Sequence, residues 1–493
     1  MHSRLRGHRV AAALARGPAE VLDFLLPLWA GGVLGLSSTS VGVLVATETA
    51  ASLIARPVAG VLVDRTDRRR PAVLGAVLYG LSFAGYALAD GLVMALAAAV
   101  LGGIGGGLFW VALRALVAGT LQDDKAAFSR LFAAEGAGTW VAFIVALTLI
   151  PAIDYPGVFW VGAAASVVAA AIMWPRTDKQ AGSPPSTAQS FSTFGQLGRR
   201  LRPVLGVVAL TATAESAIAL LLLLHLQRGY GLELDAIAAV FLPGFIVYST
   251  LPEYLHKLAY RIRRTTLLSC ALVLSATFAG ALAFAPGPWL LAVLWVLSAS
   301  ALAAAIPVEQ SMVAEAGETS LGRSMAVYES AILLGATVGT LGAGVLYGSE
   351  LGWITACVAA SALLLIAAAL VVPAVRRAGI DGGTTSEPEP ESVPSEPPAP
   401  RKQRGPESSK PSSLNWALHC LIYVVAQLVL IFLGYSWPYE AIVNGPHEAE
   451  WFYNSSGHWL LDVGRIWTAV LILDTLWTGG KIALNRVRTV KHD

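Results

Sequence analysis

Gly60-Val-Leu-Val-Asp64-Arg65-Thr-Asp67-Arg68-Arg69-Arg70 stands between two apolar runs near the start of the chain. About 20 apolar residues are enough to cross a bilayer as a helix, and the runs on both sides have that length. The charges must therefore lie in a short turn at one membrane face. Composition extends the same reading to the whole chain. Of its 493 residues 55% are hydrophobic and 13% charged, with a mean hydropathy of +0.63, whereas soluble domains carry about 25% charged residues. This is the composition of an all-α integral membrane protein.

Apolar segments fall at 17–36, 41–63, 71–89, 92–119, 127–150, 157–174, 204–227, 236–255, 265–285, 288–313, 323–347 and 352–374. Residues 375–413 follow, with Glu387-Pro-Glu-Pro-Glu391 and Glu396-Pro-Pro-Ala-Pro400, a composition with too little apolar surface to fold. Two more segments, at 414–434 and 458–479, bring the expected count to fourteen. Lysine and arginine gather on the inner side of a membrane, so a wrong count would scatter them over both faces. With the N-terminus inside, 30 of the 34 fall in inner segments and only Arg228 falls outside. Arg56, Arg114 and Arg465 lie within spans. The Tyr435–His458 loop carries Glu440, Glu448 and Glu450 but no lysine or arginine, and Trp437, Tyr439, Trp451, Phe452, Tyr453 and Trp459 in and beside it suit an interface. Both termini are thus expected in the cytoplasm. The basic N-terminus with Arg4, Arg6, Arg9 and Arg16 has its small residues before the long apolar run, unlike a secretory leader, so the first span is expected to be retained. The three cysteines, Cys270, Cys357 and Cys420, sit inside apolar runs and read as small buried hydrophobes.

Shifting the chain by 195 residues sets Glu20 on Glu215 and Arg68-Arg69 on Arg263-Arg264, the sign of an internal duplication. The expected organisation is a six-helix bundle over 1–174, a cytoplasmic connector over 175–203 and a second bundle over 204–374. A disordered linker over 375–413 and a two-helix membrane module with a basic tail over 414–493 complete it. The signature turn, at Gly60, Asp64, Arg65, Arg68 and Arg69, resembles that of the major facilitator superfamily, and the resemblance covers about residues 10–375. Asp67 stands where that family prefers glycine, and the second copy keeps only Arg263 and Arg264. The resemblance implies two pseudo-symmetric six-helix bundles rocking about a central cavity, with Asp64 and the arginines forming a gating charge network at the inner face. Asp123 or Asp124 are the expected partners of Arg65 or Arg68. The glycine-proline pattern that the family's drug/proton antiporters carry in the fifth span is not intact here, since Glu135–Ala146 has small residues but no proline.

A charge at the bilayer centre costs about 2.5–3.5 kcal/mol, so ionisable groups inside spans mark function before anything else. They are Glu20, Asp23, Glu48, Arg114, Glu135, Glu215, Glu309 and Glu329. By the resemblance, the first, fourth, seventh and tenth helices line the cavity, which favours Asp23, Arg114, Glu215 and Glu309 as groups that meet substrate or proton. Glu48 and Glu135 are further candidates for proton coupling. Glu215 lies near the middle of its span among Thr211, Thr213 and Ser216, and Asp23 lies one turn before Pro27. Glu20 and Glu329 are expected to reach the interface or Arg323, and Trp110 to be packing. Arg114 and Glu309, equivalent under the repeat, are expected to pair across the inner mouth. In the last span Asp462 and Arg465 share a face and neutralise each other, while Asp474 lacks a local partner.

No HExxH, GxSxG or GxxxxGK[ST] motif occurs and the eight histidines are dispersed, so an enzyme or an ATP-driven pump is not expected, nor any cofactor, metal or nucleic acid. The expected function is secondary active transport, with proton-coupled export of a small apolar or amphiphilic compound. A lipid or glycolipid flippase is the alternative, and a non-transporting scaffold or receptor is the alternative of another class. Partners would be the substrate, protons and membrane lipids, with residues 414–493 available to dock a subunit and the basic tail at 481–491 resting on anionic lipid. The alanine-rich, lysine-poor composition points to a bacterial inner membrane.

Overall fold

A computed structural model of the chain describes residues 2–118, 127–174, 190–251, 262–316, 321–349, 352–380 and 382–383. Toward the C-terminus it describes residues 416, 420, 423–424, 427–428, 430–431, 436–443, 461, 464, 467–468, 471 and 475. The chain divides into two compact units, Met1–Glu387 and Pro388–Asp493.

In the first unit the helices are α1 (His2–Gly32), α2 (Ser38–Arg65), α3 (Arg69–Leu88), α4 (Leu92–Ala118), α5 (Ala127–Met173), α6 (Ser190–Leu224), α7 (Leu234–Thr250), α8 (Arg264–Leu282), α9 (Pro288–Ala316), α10 (Leu321–Gly348) and α11 (Gly352–Ala378). Among the described residues nine helices are long and apolar enough to cross a membrane. Two others fall short of that measure for visible reasons: α1 carries Arg16, Glu20 and Asp23, and α7 is shorter. Val93, Ile54 and Phe284 are 84%, 74% and 75% exposed, an outward apolar surface that suits acyl chains and not water.

At its 47 residues α5 is long enough for two crossings. It is broken at Asp154, whose φ of 55° lies in the left-handed region, between Pro151 and Pro156. The two arms correspond to the expected segments 127–150 and 157–174. The ends of the other helices are set by local chemistry. Ser37 accepts from the Ser40 N–H at 3.2 Å and starts α2, and Gly379 at φ +68° closes α11 while the Ile380 N–H returns to the Val375 carbonyl. Residues 190–203, expected in a connector, are helical and continuous with α6.

Two groups of helices repeat one packing pattern. In the first, α1 packs on α5, α2 on α4, and α3 on α4 and α5; in the second, α6 packs on α10 and α11, α7 on α9, and α8 on α9 and α11. Glycine makes the closest of these approaches possible. A Cβ on Gly138 would meet the Ala13 carbonyl at 2.4 Å, and one on Gly339 would meet the Thr213 carbonyl at 2.2 Å. Small residues serve this role in membranes because helices gain from tight backbone contact when lipid supplies no hydrophobic drive.

In the second unit, the Trp416 indole donates to Thr475 at 3.0 Å, and the Tyr423 and Thr468 hydroxyls bond at 2.6 Å. Ser436 donates to Gln427 at 2.8 Å beside the short helix α12 (Trp437–Val443). The Asp462, Arg465 and Asp474 expectations and the basic tail lie outside the described residues.

Candidate functional site

Where the two helix groups of the first unit meet, α2 and α10 run antiparallel along a seam. At the end where α2 begins, Gly42 lies against Gly344, with a Cβ on Gly42 only 2.8 Å from the Gly344 Cα, and Thr39 donates to the Gly344 carbonyl at 3.4 Å. Deeper, the Thr49 and Thr337 hydroxyls bond at 2.9 Å. At the opposite end Arg56 donates to Glu329 Oε2 at 2.6 Å, and Arg114 of α4 takes the other carboxylate oxygen. One acid of the second group thus holds two arginines of the first.

This corrects the expectation that Arg114 pairs with Glu309. Tyr328 and Glu329 are consecutive on α10 and so point about 100° apart. Tyr328 reaches Glu309 within its own group, donating to Oε2 at 3.5 Å, while Glu329 turns to the arginines. Glu20 likewise pairs with Arg16 one turn before it on α1. The Arg16 guanidinium also lies 5.7 Å from the centroid of Trp110, itself part of the buried core of the first group. Glu135, 8% exposed, lies in the fields of Arg16 and Arg114, and its Oε1 has no hydrogen-bond partner among the described residues. The side chain of Arg323 is outside the described part.

Four carboxylates remain, and among the described residues none lies within ion-pair distance of a base. Asp23 is exposed on α1. Glu48 accepts from the Tyr86 hydroxyl at 3.2 Å and packs against Gly102 and Gly103 of α4. Glu215 accepts from the Tyr248 hydroxyl at 3.2 Å. Glu309 is 6% exposed, and its Oε1 has no hydrogen-bond partner among the described residues. Each group therefore holds two acids with tyrosines beside them. Between the groups runs an aromatic seam, with Phe24 5.4 Å from Phe241 and Phe143 5.5 Å from Phe245. Phe241 in turn stacks on Trp295 at 5.6 Å.

In the signature turn, Asp67, one residue before the Arg68 cap position of α3, accepts from the Arg69 N–H at 3.1 Å, a bond that a glycine could not make. Arg68 donates to the Ala115 carbonyl near the end of α4 at 2.9 Å, where the helix dipole favours a cation. Arg65 is exposed, and a Cβ on Gly60 would meet nothing within 4 Å. Asp123, Asp124 and the Asp64 side chain lie outside the described residues.

Sequence reasoning missed Glu329 and Arg56 as the link between the groups, and the tyrosines that hold the acids. A signal existed at the other end of the helix groups. Arg228, the one base read as outside, donates to the Leu36 carbonyl, and neighbouring Gln227 donates to the Leu28 carbonyl at 2.7 Å. Both come from a π-helical turn, His225–Gly229, whose His225 stacks on Trp353 at 4.1 Å.

Paired helix groups with acids in the middle and an ion-pair seam at one end define a membrane transporter fold. A family model described as Major Facilitator Superfamily matches residues 10–252 and again 204–446, two matches offset by 194 residues, and the chain belongs to that family. Similar solved structures include the human organic anion transporter MFSD10 (TETRAN), 17% identical with a TM-score of 0.56 over 74% of this chain and 98% of that one. The nucleoside transporter NupG is 12% identical with a TM-score of 0.58, over 76% of this chain and 99% of that one. A bacterial homolog of the human lysosomal transporter Spinster, in an inward-facing and unoccupied conformation, is 15% identical with a TM-score of 0.58, over 76% and 97%. At such identities the likeness is one of fold. No sequence among curated proteins matches.

Proposed function

We propose that the chain is a secondary active transporter working by alternating access, which couples proton movement to export of a small apolar or amphiphilic compound. The observation that carries this reading is the placement of Glu215 and Glu309 on α6 and α9, each touched by a tyrosine hydroxyl and neither paired with a base. A carboxylate in such surroundings exchanges a proton at little cost to the fold, because no partner charge is stranded when it is neutral. The seam of Arg56, Arg114 and Glu329 acts as the inner gate, and the turn at Gly60, Asp64, Arg65, Arg68 and Arg69 steers its movement. Asp23 and Glu135 are further groups on the proton route.

In this reading the protein lies in a bacterial inner membrane with both termini in the cytoplasm and crosses it fourteen times. Bundles over 1–174 and 204–374 are joined through 175–203, and a linker over 375–413 leads to a helical hairpin at 414–493. The pairing of Trp416 with Thr475 and of Tyr423 with Thr468 supports the hairpin, since the two contacts keep an antiparallel register. Membrane lipids or another subunit would dock on it.

Proteoliposomes holding a pH-sensitive dye test the reading. At least one solute of a mixed library should drive proton movement, and Glu215→Gln should abolish it. If no solute or lipid moves under a pH gradient, a scaffold role replaces transport. An apolar recess lined by Pro18, Leu22, Phe83, Ala146 and Phe159 favours the flippase as second reading, since an acyl chain fits such walls. Movement of a labelled lipid between leaflets would select it.

A further inference from the structure

The charge balance around the two helix groups is uneven in a way that bears on the substrate. The bases that α1, α2 and α4 send inward are all engaged. Arg16 lies on Glu20, and Arg56 and Arg114 lie on Glu329. Glu135 shares the fields of Arg16 and Arg114, and Asp23 lies in the field of Arg16, so these three bases already face four acids. Glu48, Glu215 and Glu309 are left over with no base in ion-pair reach among the described residues. An anionic substrate would meet acids whose counter-charges are already spoken for, and a neutral one would leave them unanswered.

A second observation separates Glu309 from an ordinary buried acid. It is 6% exposed, one of its oxygens accepts from Tyr328, and the other has no hydrogen-bond partner among the described residues. Glu215 acts on it electrostatically, and Tyr248 of α7 donates to Glu215 at 3.2 Å. The same face of α7 carries Phe241, Phe245 and Tyr248 at i, i+4 and i+7. Phe241 and Phe245 meet Phe24 and Phe143 of the first group, and Phe241 meets Trp295 of α9. Acids at one end of an aromatic ladder are the arrangement that recognises a cation with an apolar body, through charge at the head and ring faces along the rest.

We propose that the protein takes an organic cation, an amphiphilic amine or quaternary onium, with its charge on the free oxygen of Glu309 beside Glu215 and its apolar body along the Phe24, Phe241 and Phe245 rings. This deepens the transporter reading and rests on it for the site, but its test does not require flux.

Tetraphenylphosphonium and tetraphenylborate have nearly the same shape and opposite charge. The purified full chain in detergent is titrated with radiolabelled tetraphenylphosphonium, with empty micelles subtracted. Saturable binding is expected, not displaced by tetraphenylborate, and weaker by about tenfold or more in Glu309→Gln. The exposed carboxylate Asp90 gives the control, and Asp90→Asn should bind as the parent does. Should Glu309→Gln not elute as a folded protein, Glu215→Gln is expected to weaken binding in its place. Preference for tetraphenylborate, or undiminished affinity in the variant that folds, overturns the proposal. Binding without any flux supports the cation site while removing the transporter reading. Proton movement driven only by neutral or anionic solutes, with no phosphonium binding, overturns the cation and leaves transport standing.

Discussion

In the first helix group α1 closes on α5 where Gly138 leaves room for the Ala13 carbonyl, and in the second α6 closes on α10 where Gly339 leaves room for that of Thr213. The packing is the same, helix for helix. The charges are not. The first group sends Arg56 and Arg114 toward its partner and keeps Arg16 on its own Glu20, whereas the second group answers with Glu329 and holds Glu215 and Glu309 against tyrosines. Arg114 and Glu309 even occupy equivalent positions under the 195-residue shift with opposite sign. Backbone approach is fixed by the room between helices, which a duplication preserves. Side-chain chemistry is free to diverge once each copy has its own neighbours.

The largest test of this contrast compares acids. Glu215→Gln should lower pH-driven flux in proteoliposomes by about a hundredfold or more, the scale on which a proton-transferring group is felt. Glu48→Gln should cost less flux and more stability, because Glu48 is packed against Gly102 and Gly103 of α4. Equal flux defects would mean that both groups handle protons and would erase the distinction.

A smaller effect is expected at the seam. Glu329→Gln strands two arginines, and removal of one member from a partly wet ion-pair network should shift the balance between conformations by about 1–3 kcal/mol. Distances between spin labels on the inner ends of α4 and α10 would read this shift. Exchanging the charges, as Arg114→Glu with Glu329→Arg, should recover part of it. No change in the distances would reduce the triad to packing.

Packing symmetry has its own check. Gly138→Val and Gly339→Val should lower thermal stability alike, each by about 1–3 kcal/mol, since each added side chain meets backbone. An unequal loss would show that the two groups are not built on one plan. The smallest effect is expected at Gly60, where a Cβ meets nothing. Gly60→Ala should stay within about 0.5 kcal/mol of the parent in stability. Slower flux in that stable variant would assign the glycine to a conformation other than this one.

Much of this protein can be read along the chain because hydrocarbon tolerates so few patterns. Runs of about 20 apolar residues become helices, since no other local structure satisfies their backbone in lipid. The Asp154 break between Pro151 and Pro156 separates the two arms of α5, which correspond to the segments at 127–150 and 157–174. The acids stood out for the same reason, each a visible exception in an apolar run. What they would touch was not visible. Glu329 was read as an interfacial acid near Arg323, and only the crossing of α10 with α2 and α4 brings it to Arg56 and Arg114.

The sequence by itself determined the apolar, helical class and which apolar runs carry charged residues, because these follow from transfer free energies that act residue by residue. Only the tertiary structure decided which charges neutralise one another and which stay free. Partner choice depends on the rotation and crossing of helices hundreds of residues apart. A turn of about 100° between neighbours on one helix is enough to send Tyr328 to one group and Glu329 to the other.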